Sequence, residues 1–400
     1  MKHLCIIGGG ALSLFVAANL KNRKITILEA SNDVLKKVKL SGGGRCNLCN
    51  YEKDIKKLLE AYPRNANHLK KIFYEFTPEF ICNHFYDMGI NLKVEDLNRV
   101  FPESDDSQEV VDMLLYYATK NNVNILKGAK VEYLTKDGDK FRIETLDDRT
   151  FTCDEVLLAI GGNWQNSHNL KASLENLGHS FVEDVPSLFA FDLADENFLT
   201  LAGVAQNDVN IRSSLIKKEV EGDILFTHKG VSGPAVLKLS SYGAVDFAKN
   251  DYKFSINISF VKAEYAREFF KYARLNAARK LVKNYNIPDM RNALWQAILR
   301  HNNIPADLQY THLNKAQETA LVNSLAKLEL EVVGKSLNST EFVRAGGVNV
   351  KEIDFMSMQS KICPDLYLGG EAIDIDAITG GYNLMACWGE GLQIVKKLQA

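Results

Sequence analysis

The 400-residue chain has no apolar run of the roughly 20 residues that a membrane-spanning helix needs. Neither sign of charge is in excess. Its 48 Lys and Arg stand against 50 Asp and Glu, a net of −2, which gives no general pull toward nucleic acid or an anionic membrane. There is no basic tail, so no nucleic-acid partner is expected. A second C-x-x-C that would complete a zinc site is missing, and no metal-ligand spacing is present. The seven cysteines are odd in number and dispersed, which excludes a disulfide framework and points to a reducing cytoplasm. Met1-Lys2-His3 runs straight into an apolar stretch and a glycine turn, which is not the build of a signal peptide.

What is present begins at Leu4. Leu4–Ile7 is long enough for a buried strand, Gly8-Gly9-Gly10 turns the chain, and Ala11–Lys21 is apolar on one helical face. Ile25–Leu28 is a second apolar run, and Glu29 closes it. Strand, glycine turn, helix, strand and acid is the order of a dinucleotide-binding unit. Gly8 permits the tight turn, and Gly10 permits close approach of a pyrophosphate. The helix start at Ala11 presents unpaired N–H groups and a positive end, worth about 0.3–1 kcal/mol per anionic charge. Glu29, 19 positions after Gly10, is placed to accept ribose hydroxyls and to repel a 2′-phosphate, favouring FAD or NAD over NADP. Ser13 stands where a third small residue packs helix on strand.

A second glycine-rich loop follows, Ser41-Gly42-Gly43-Gly44-Arg45-Cys46-Asn47. So many glycines beside polar residues cost entropy unless something approaches closely. The loop is therefore read as lining the pyrophosphate or the flavin ring, and Arg45 and Asn47 are candidate catalytic residues. Cys46 and Cys49 form a C-x-x-C, but flavin disulfide reductases usually separate their pair by four residues. A buried strand Val156–Ile160 ends in Gly161-Gly162, and Asp365–Leu368 runs into Gly369-Gly370-Glu371. Glu371 could hold a ribityl hydroxyl. Thr379-Gly380-Gly381-Tyr382-Asn383 opens a helix whose start is a donor set for the flavin N1–C2=O edge.

The texture between these ends differs. Residues 52–127 are mainly helical, 129–155 form a meander with turn signals, and from Pro186 short strands dominate. His228, on a loop among glycines, is a third catalytic candidate. Ala263–Leu328 is helical, with a capping box at Asn314 and Gln317.

Taken together, Gly8–Gly10, Ser41–Asn47, Arg99-Val100-Phe101-Pro102, Thr227–Pro234, Ala345–Val348 and Gly369–Glu371 through Thr379–Leu384 resemble the YhiN/BaiN-like conserved flavoprotein family, whose members are labelled NAD(P)/FAD-dependent or aminoacetone-oxidase-like. The resemblance implies an α/β fold: a glutathione-reductase-type, Rossmann FAD-binding domain with a β-barrel-like insertion and a small helical insertion. It implies boundaries at 1–185 with 344–400 for the FAD domain, 186–262 with 329–343 for the β-rich domain and 263–328 for the helical part. By position it implies FAD contacts at Gly8, Gly10, Ala11, Glu29, Gly43, Gly44, Arg45, Cys46, Asn47, Gly161, Gly370, Glu371, Gly380, Gly381, Tyr382 and Asn383. Departures from the family pattern stand at Ser13, Cys49, Ala377-Ile378 and Ser357–Lys361. The expected activity is hydride or electron-pair transfer between FAD and a small organic substrate held between the FAD domain and the β-rich insertion. NAD(P)H is then at most a transient visitor, since no second Gly-x-Gly-x-x-Gly domain is present. The rival readings are a disulfide reductase using Cys46 and Cys49, an RNA-modifying flavoprotein and a non-catalytic flavin binder.

Overall fold

The computed structural model describes residues 1–162, 164–336 and 343–400. They form two units, Met1–Val185 with Phe342–Ala400, and Pro186–Glu341. Of the expected β-rich return segment 329–343, residues 337–342 lie outside the described residues.

The first unit is built on a seven-stranded sheet. Its five parallel strands are β1 (His3–Ile7), β2 (Lys24–Glu29), β3 (Asn124–Lys127), β4 (Glu155–Leu158) and β5 (Leu366–Leu368). In space they run β5-β4-β1-β2-β3, with the two-residue strands Gln359–Ser360 and Ile353–Asp354 beyond β5. The chain leaves β1 toward β2 and β3, then returns to the other side of β1 as β4. Strand order therefore reverses at β1, the switch point where open parallel sheets place their ligands. β1 and β4 are almost wholly apolar and buried, as strands covered on both faces must be. The edge strand β3 is half-buried and mixed in composition, and carried no sequence signal of its own.

Helix α1 (Ala11–Asn19) crosses from β1 to β2, and helix α2 (Tyr382–Gln399) packs against it. Leu12–Ala18 are all buried, so α1 is apolar around its whole circumference. The approach of the two helices is close: a Cβ on Gly391 would lie 2.6 Å from the Phe15 ring. Ser13 fits this packing, but its Oγ is buried without a hydrogen-bond partner among the described residues. The meander forms an antiparallel sheet of Val131–Asp137, Lys140–Thr145 and Thr150–Cys153. A further small sheet joins Cys49–Asn50, Arg99–Pro102 and Leu92–Glu95.

The second unit is a closed six-stranded antiparallel barrel with helices inserted into it. The strands run Ala190–Leu193, Gly230–Ser232, Glu219–Phe226, Ala205–Ser213, Phe254–Ser259 and Leu328–Ser336, and the last pairs with the first. Phe254, Ile256 and Ile258 alternate inward, and the Phe247 ring stacks on Phe254 at 4.0 Å. Between the paired strands Phe254–Ser259 and Leu328–Ser336 the chain makes the helices Ala263–Asn276, Asn292–His301 and Lys315–Lys327. They close over the buried Trp295 and Tyr310. The capping box at Asn314 is present in both directions, at 2.8 and 3.1 Å.

The orphaned hydroxyl of Ser13 sets a direct test. Ser13→Ala removes an unsatisfied buried polar atom and improves helix propensity, so the folded state should gain about 1 kcal/mol. Thermal denaturation should read this as a higher melting temperature.

Candidate active site at the carboxyl ends of the parallel strands

Four strands end side by side. β1 gives way to Gly8–Gly10, β2 to Glu29, β4 to Ala159–Gly162 and β5 to Gly369–Glu371. Gly8 has φ +100°, and a Cβ there would sit 2.4 Å from the Ala159 carbonyl oxygen. The backbone is packed against itself at this point, and only glycine fits. Gly10 is different. It N-caps α1, and a Cβ there would meet nothing within 4 Å. Gly43 and Gly44, with φ of +70° and +89°, also face open space. The start of α1 has no side-chain cap and no acidic residue in its first turn, so its positive end is not neutralised locally.

Glu29 accepts hydrogen bonds from the Gly9 N–H at 2.6 Å and from the Ser31 N–H and hydroxyl at 2.7 and 2.6 Å. A carboxylate has about four acceptor positions, so one remains for a ribose hydroxyl. Glu371 is held by the Lys37 ammonium at 2.6 Å. That ammonium also lies 3.9 Å from the Cβ position of Gly161, which places a cation between the turns after β4 and β5. The sequence reading passed over Lys37, because its partner lies 334 residues away.

The residues of the second glycine loop divide. Arg45 turns away from the open space: its guanidinium binds Glu95 and Asp105 (Nε–Oδ1 2.7 Å) and lies over the Phe101 ring at 4.1 Å. Asn47 turns toward the start of α2. Its amide accepts from the Gly381 N–H at 3.2 Å and donates to the Cys49 carbonyl at 3.3 Å. Cys46 is buried, and burial pushes its thiol up to about 12. Cys49 is buried too, its thiol raised by burial and by a hydrogen bond with the free thiol of Cys82. Neither thiol is suited to be a thiolate near pH 7, which disfavours a disulfide reductase.

The start of α2 is clasped by the segment that follows the loop. Asn50 donates to the Gly380 carbonyl at 3.0 Å and to the Leu97 carbonyl at 3.1 Å. Tyr62 donates to the Tyr382 carbonyl at 2.8 Å. Arg64 forms a two-pronged ion pair with the fully buried Asp376 (Nε–Oδ1 2.8 Å). Asn383 spends its amide on the Ala377 N–H and carbonyl at 2.9 and 3.0 Å. Like α1, α2 has no side-chain cap and no acid in its first turn. The 18-residue helix therefore keeps the field of its N-terminus for whatever lies in front of it.

Two further groups were not foreseen. Glu390, midway along α2, is completely buried. One oxygen accepts the Gly370 N–H at 2.6 Å, while the other has no partner among the described residues, and burial raises the carboxyl to about 8. The signal was legible in principle: an acid between Gly389 and Gly391 on an otherwise apolar face. Ser360, His179 and Glu352 form a chain of hydrogen bonds, each 3.0 Å, with the order of a hydrolase triad. The Ser360 Oγ accepts the N–H groups of Ile362 and Cys363 and is buried, so it ties loops together and is not placed to attack a substrate. His228 lies exposed in the second unit, on the turn between Glu219–Phe226 and Gly230–Ser232.

Residues 2–397 match the family model described as HI0933-like protein Rossmann domain. The chain belongs to that family. It is 27% identical over 395 residues to an Escherichia coli protein named ribosomal RNA dihydrouridine synthase, covering 96% of this chain and 94% of the relative. It is also 27% identical over 406 residues to the 3-dehydro-bile acid delta(4,6)-reductase of Clostridium scindens, covering 98% and 97%. Among solved structures, the 3-ketosteroid-delta4-(5alpha)-dehydrogenase of Rhodococcus jostii shares the fold with a TM-score of 0.50 at 11% identity, over 100% of this chain and 97% of that one. Family, relatives and fold together support an FAD-dependent oxidoreductase.

The Glu390 carboxyl gives a pH test with a definite sign. Its folded value of about 8 lies above the unfolded value of about 4.3, so the native state binds the extra proton between them. Its contribution to stability falls as pH rises through that window and is smallest above about pH 8. Glu390→Gln keeps an acceptor for Gly370 and cannot ionise, so its melting temperature should fall less between about pH 5 and 8 than that of the unaltered protein.

Proposed function

We propose that this chain is an FAD-dependent reductase that saturates a carbon–carbon double bond conjugated to a carbonyl. The observation that carries the proposal is the cradle at the switch point: two uncapped helix starts, and glycines at 10, 43 and 44 whose Cβ positions touch nothing. Such space beside N–H donors is what a pyrophosphate and a flat ring require. The bound flavin, once reduced by an external two-electron donor such as a nicotinamide, would supply the hydride and return to FAD. Gly8, Gly10 and Ala11 would hold its pyrophosphate, with Lys37 as the nearby cation, and Glu29 its ribose. Gly43, Gly44, Cys46 and Asn47 would face it through backbone and amide, with Arg45 fixing their loop from behind. Gly161, Gly370 and Glu371 would border the ribityl chain, and Gly380, Gly381, Tyr382 and Asn383 would present the α2 N-terminus to the ring. On this reading residues 1–185 with 344–400 are the cofactor domain, 186–262 with 329–343 the barrel domain and 263–328 its helical insertion.

The conjugated acceptor is supported by two relatives with different substrates in their names. One is named for dihydrouridine in ribosomal RNA, the other for a 3-dehydro bile acid unsaturated at positions 4 and 6. A uracil ring and such a ketone share one reducible unit, C=C–C=O. Hydride is accepted at the far carbon, and negative charge develops on the carbonyl oxygen, where hydrogen-bond donors stabilise it.

The test is anaerobic titration of the yellow protein with NADPH and, in parallel, NADH, followed by addition of a 4-en-3-one or of a uridine-containing RNA. Bleaching by the nicotinamide and recovery of colour on adding either acceptor is the expected result. A flavin that stays oxidised with both nucleotides, or a reduced flavin that neither acceptor reoxidises, would overturn the reductase reading. Gly10→Val should fold, since nothing in the chain meets the added side chain, yet lose FAD, with visible absorbance after gel filtration falling by more than tenfold.

A further inference from the structure

The whole-chain charge conceals a partition. From Ala263 to Leu328 ten Lys and Arg face five Asp and Glu, a net of +5, so the other 334 residues carry −7. The excess is concentrated. Residues 271–288 hold Lys271, Arg274, Arg279, Lys280 and Lys283 and no acidic residue. Arg274 is committed to Glu318 at 2.6 Å. Lys271, Arg279 and Lys280 are exposed and Lys283 half-exposed, and Lys280 lies over the Tyr285 ring at 4.8 Å. On the same helix Tyr265 and Tyr272 are 46% and 55% exposed, and Leu275 is 77% exposed.

A cavity of about 590 Å³ adjoins this face within the same unit. Tyr265, Arg291, Asp208 and Asp289 line it, together with Ile287 and Pro288 at the end of the basic stretch. One wall is a built structure. The largely buried Gln206 donates to the Asp289 carbonyl and accepts from the Arg291 N–H, both at 3.2 Å, and so fixes the 289–291 loop to the barrel strand Ala205–Ser213.

We propose that this face of the helical insertion docks single-stranded RNA. Lys271, Arg279, Lys280 and Lys283 take the phosphates, and the cavity takes one unstacked base against Tyr265. Charge complementarity selects a polyanion. A phenol ring beside carboxylate acceptors selects a base, since Asp accepts from base N–H groups, the N3–H of uracil among them, and aromatic faces stack on any base. Those same carboxylates oppose an anionic bilayer, which offers phosphates and no amine-bearing ring. The choice of RNA over DNA rests on the proposed reduction of C=C–C=O, because in a polynucleotide that unit is the pyrimidine ring, and uracil belongs to RNA.

The test is fluorescence anisotropy of a short labelled, uridine-containing RNA with the FAD-loaded full chain, at 50 and 200 mM salt. Binding should weaken with salt. The combined variant Lys271→Gln, Arg279→Gln, Lys280→Gln, Lys283→Gln should weaken it at 50 mM by more than tenfold and lower the log–log salt slope by about 3, at about 0.7 per single-strand phosphate. Tyr265→Ala should weaken binding by about tenfold and leave the slope unchanged. Melting temperature and bound FAD should be unaltered in both. No RNA binding by the unaltered protein at 50 mM, equal binding by the fourfold variant, tighter binding of the matching DNA, or preference for phosphatidylglycerol vesicles would each overturn the proposal. Failure of the reductase reading would appear in the flavin titration and leave the anisotropy untouched.

Discussion

The first unit depends on backbone approaching backbone more closely than any side chain permits. At Gly8 a Cβ would be 2.4 Å from the Ala159 carbonyl oxygen, and at Gly381 it would be 2.4 Å from that of Cys49. The first contact packs the turn after β1 against the end of β4. The second packs the start of α2 against the strand that follows the glycine loop. Together they bring segments from residues 8, 49, 159 and 381 to one edge of the sheet. These glycines are structural. Gly10, Gly43 and Gly44 have the same residue type and the opposite surroundings, since nothing stands where their Cβ would be.

The clasp around α2 follows from that geometry. Drawing residues 374–383 over the sheet edge buries polar backbone, and each buried group needs a partner. Neutral amides and a phenol supply most of them: Asn50, Asn47, Tyr62 and Asn383. The buried Asp376 is answered by a charge, Arg64, and breaking a buried ion pair of this kind costs about 3–5 kcal/mol. The clasp is thus stiff where it meets the rest of the unit and adds no charge of its own at Gly380–Asn383.

Much of this fold was legible in the sequence because its signals are local. The strand–turn–helix–strand run from Leu4 to Glu29 and the capping box at Asn314 each lie within a few residues of their own evidence. The candidate site was legible only as a set of glycine turns. What their side chains do depends on partners far away in the chain. Arg45 looked free to meet a ligand, yet Glu95 and Asp105 take its charge, 50 and 60 residues on. Lys37 carried no sequence signal, yet it bridges to Glu371. Glu390 and its Gly370 are 20 residues apart and joined only by the fold. Net charge hides local structure in the same way. A sum over 400 residues averages a basic insertion against an acidic remainder, whereas a binding partner feels only the surface within a Debye length of about 8 Å.

The two helix starts at the candidate site show how the chain reserves its electrostatics. Some other helices receive side-chain caps, Asp54, Thr77, Asp106, Asp195 and Asn314 each accepting an N–H of the first turn, while Ala66–Glu75, Pro234–Tyr242, Ala263–Asn276 and Asn292–His301 receive none. Such a cap is worth about 1 kcal/mol, and an acidic one also offsets part of the helix dipole. α1 and α2 begin on Gly10 and Gly381, without a side-chain cap or an acid in the first turn. Both helices are buried along most of their length, so tertiary packing supplies the stability that a cap would add. Each end carries about half a positive charge; at Gly10 nothing stands within 4 Å of the Cβ position, while at Gly381 Cys49 and Asn47 lie against it. The two starts thus differ: α1 opens on a position that protein leaves clear, whereas α2 opens on one that Asn47 and Cys49 hold, which fits the proposal that the pyrophosphate lies at α1.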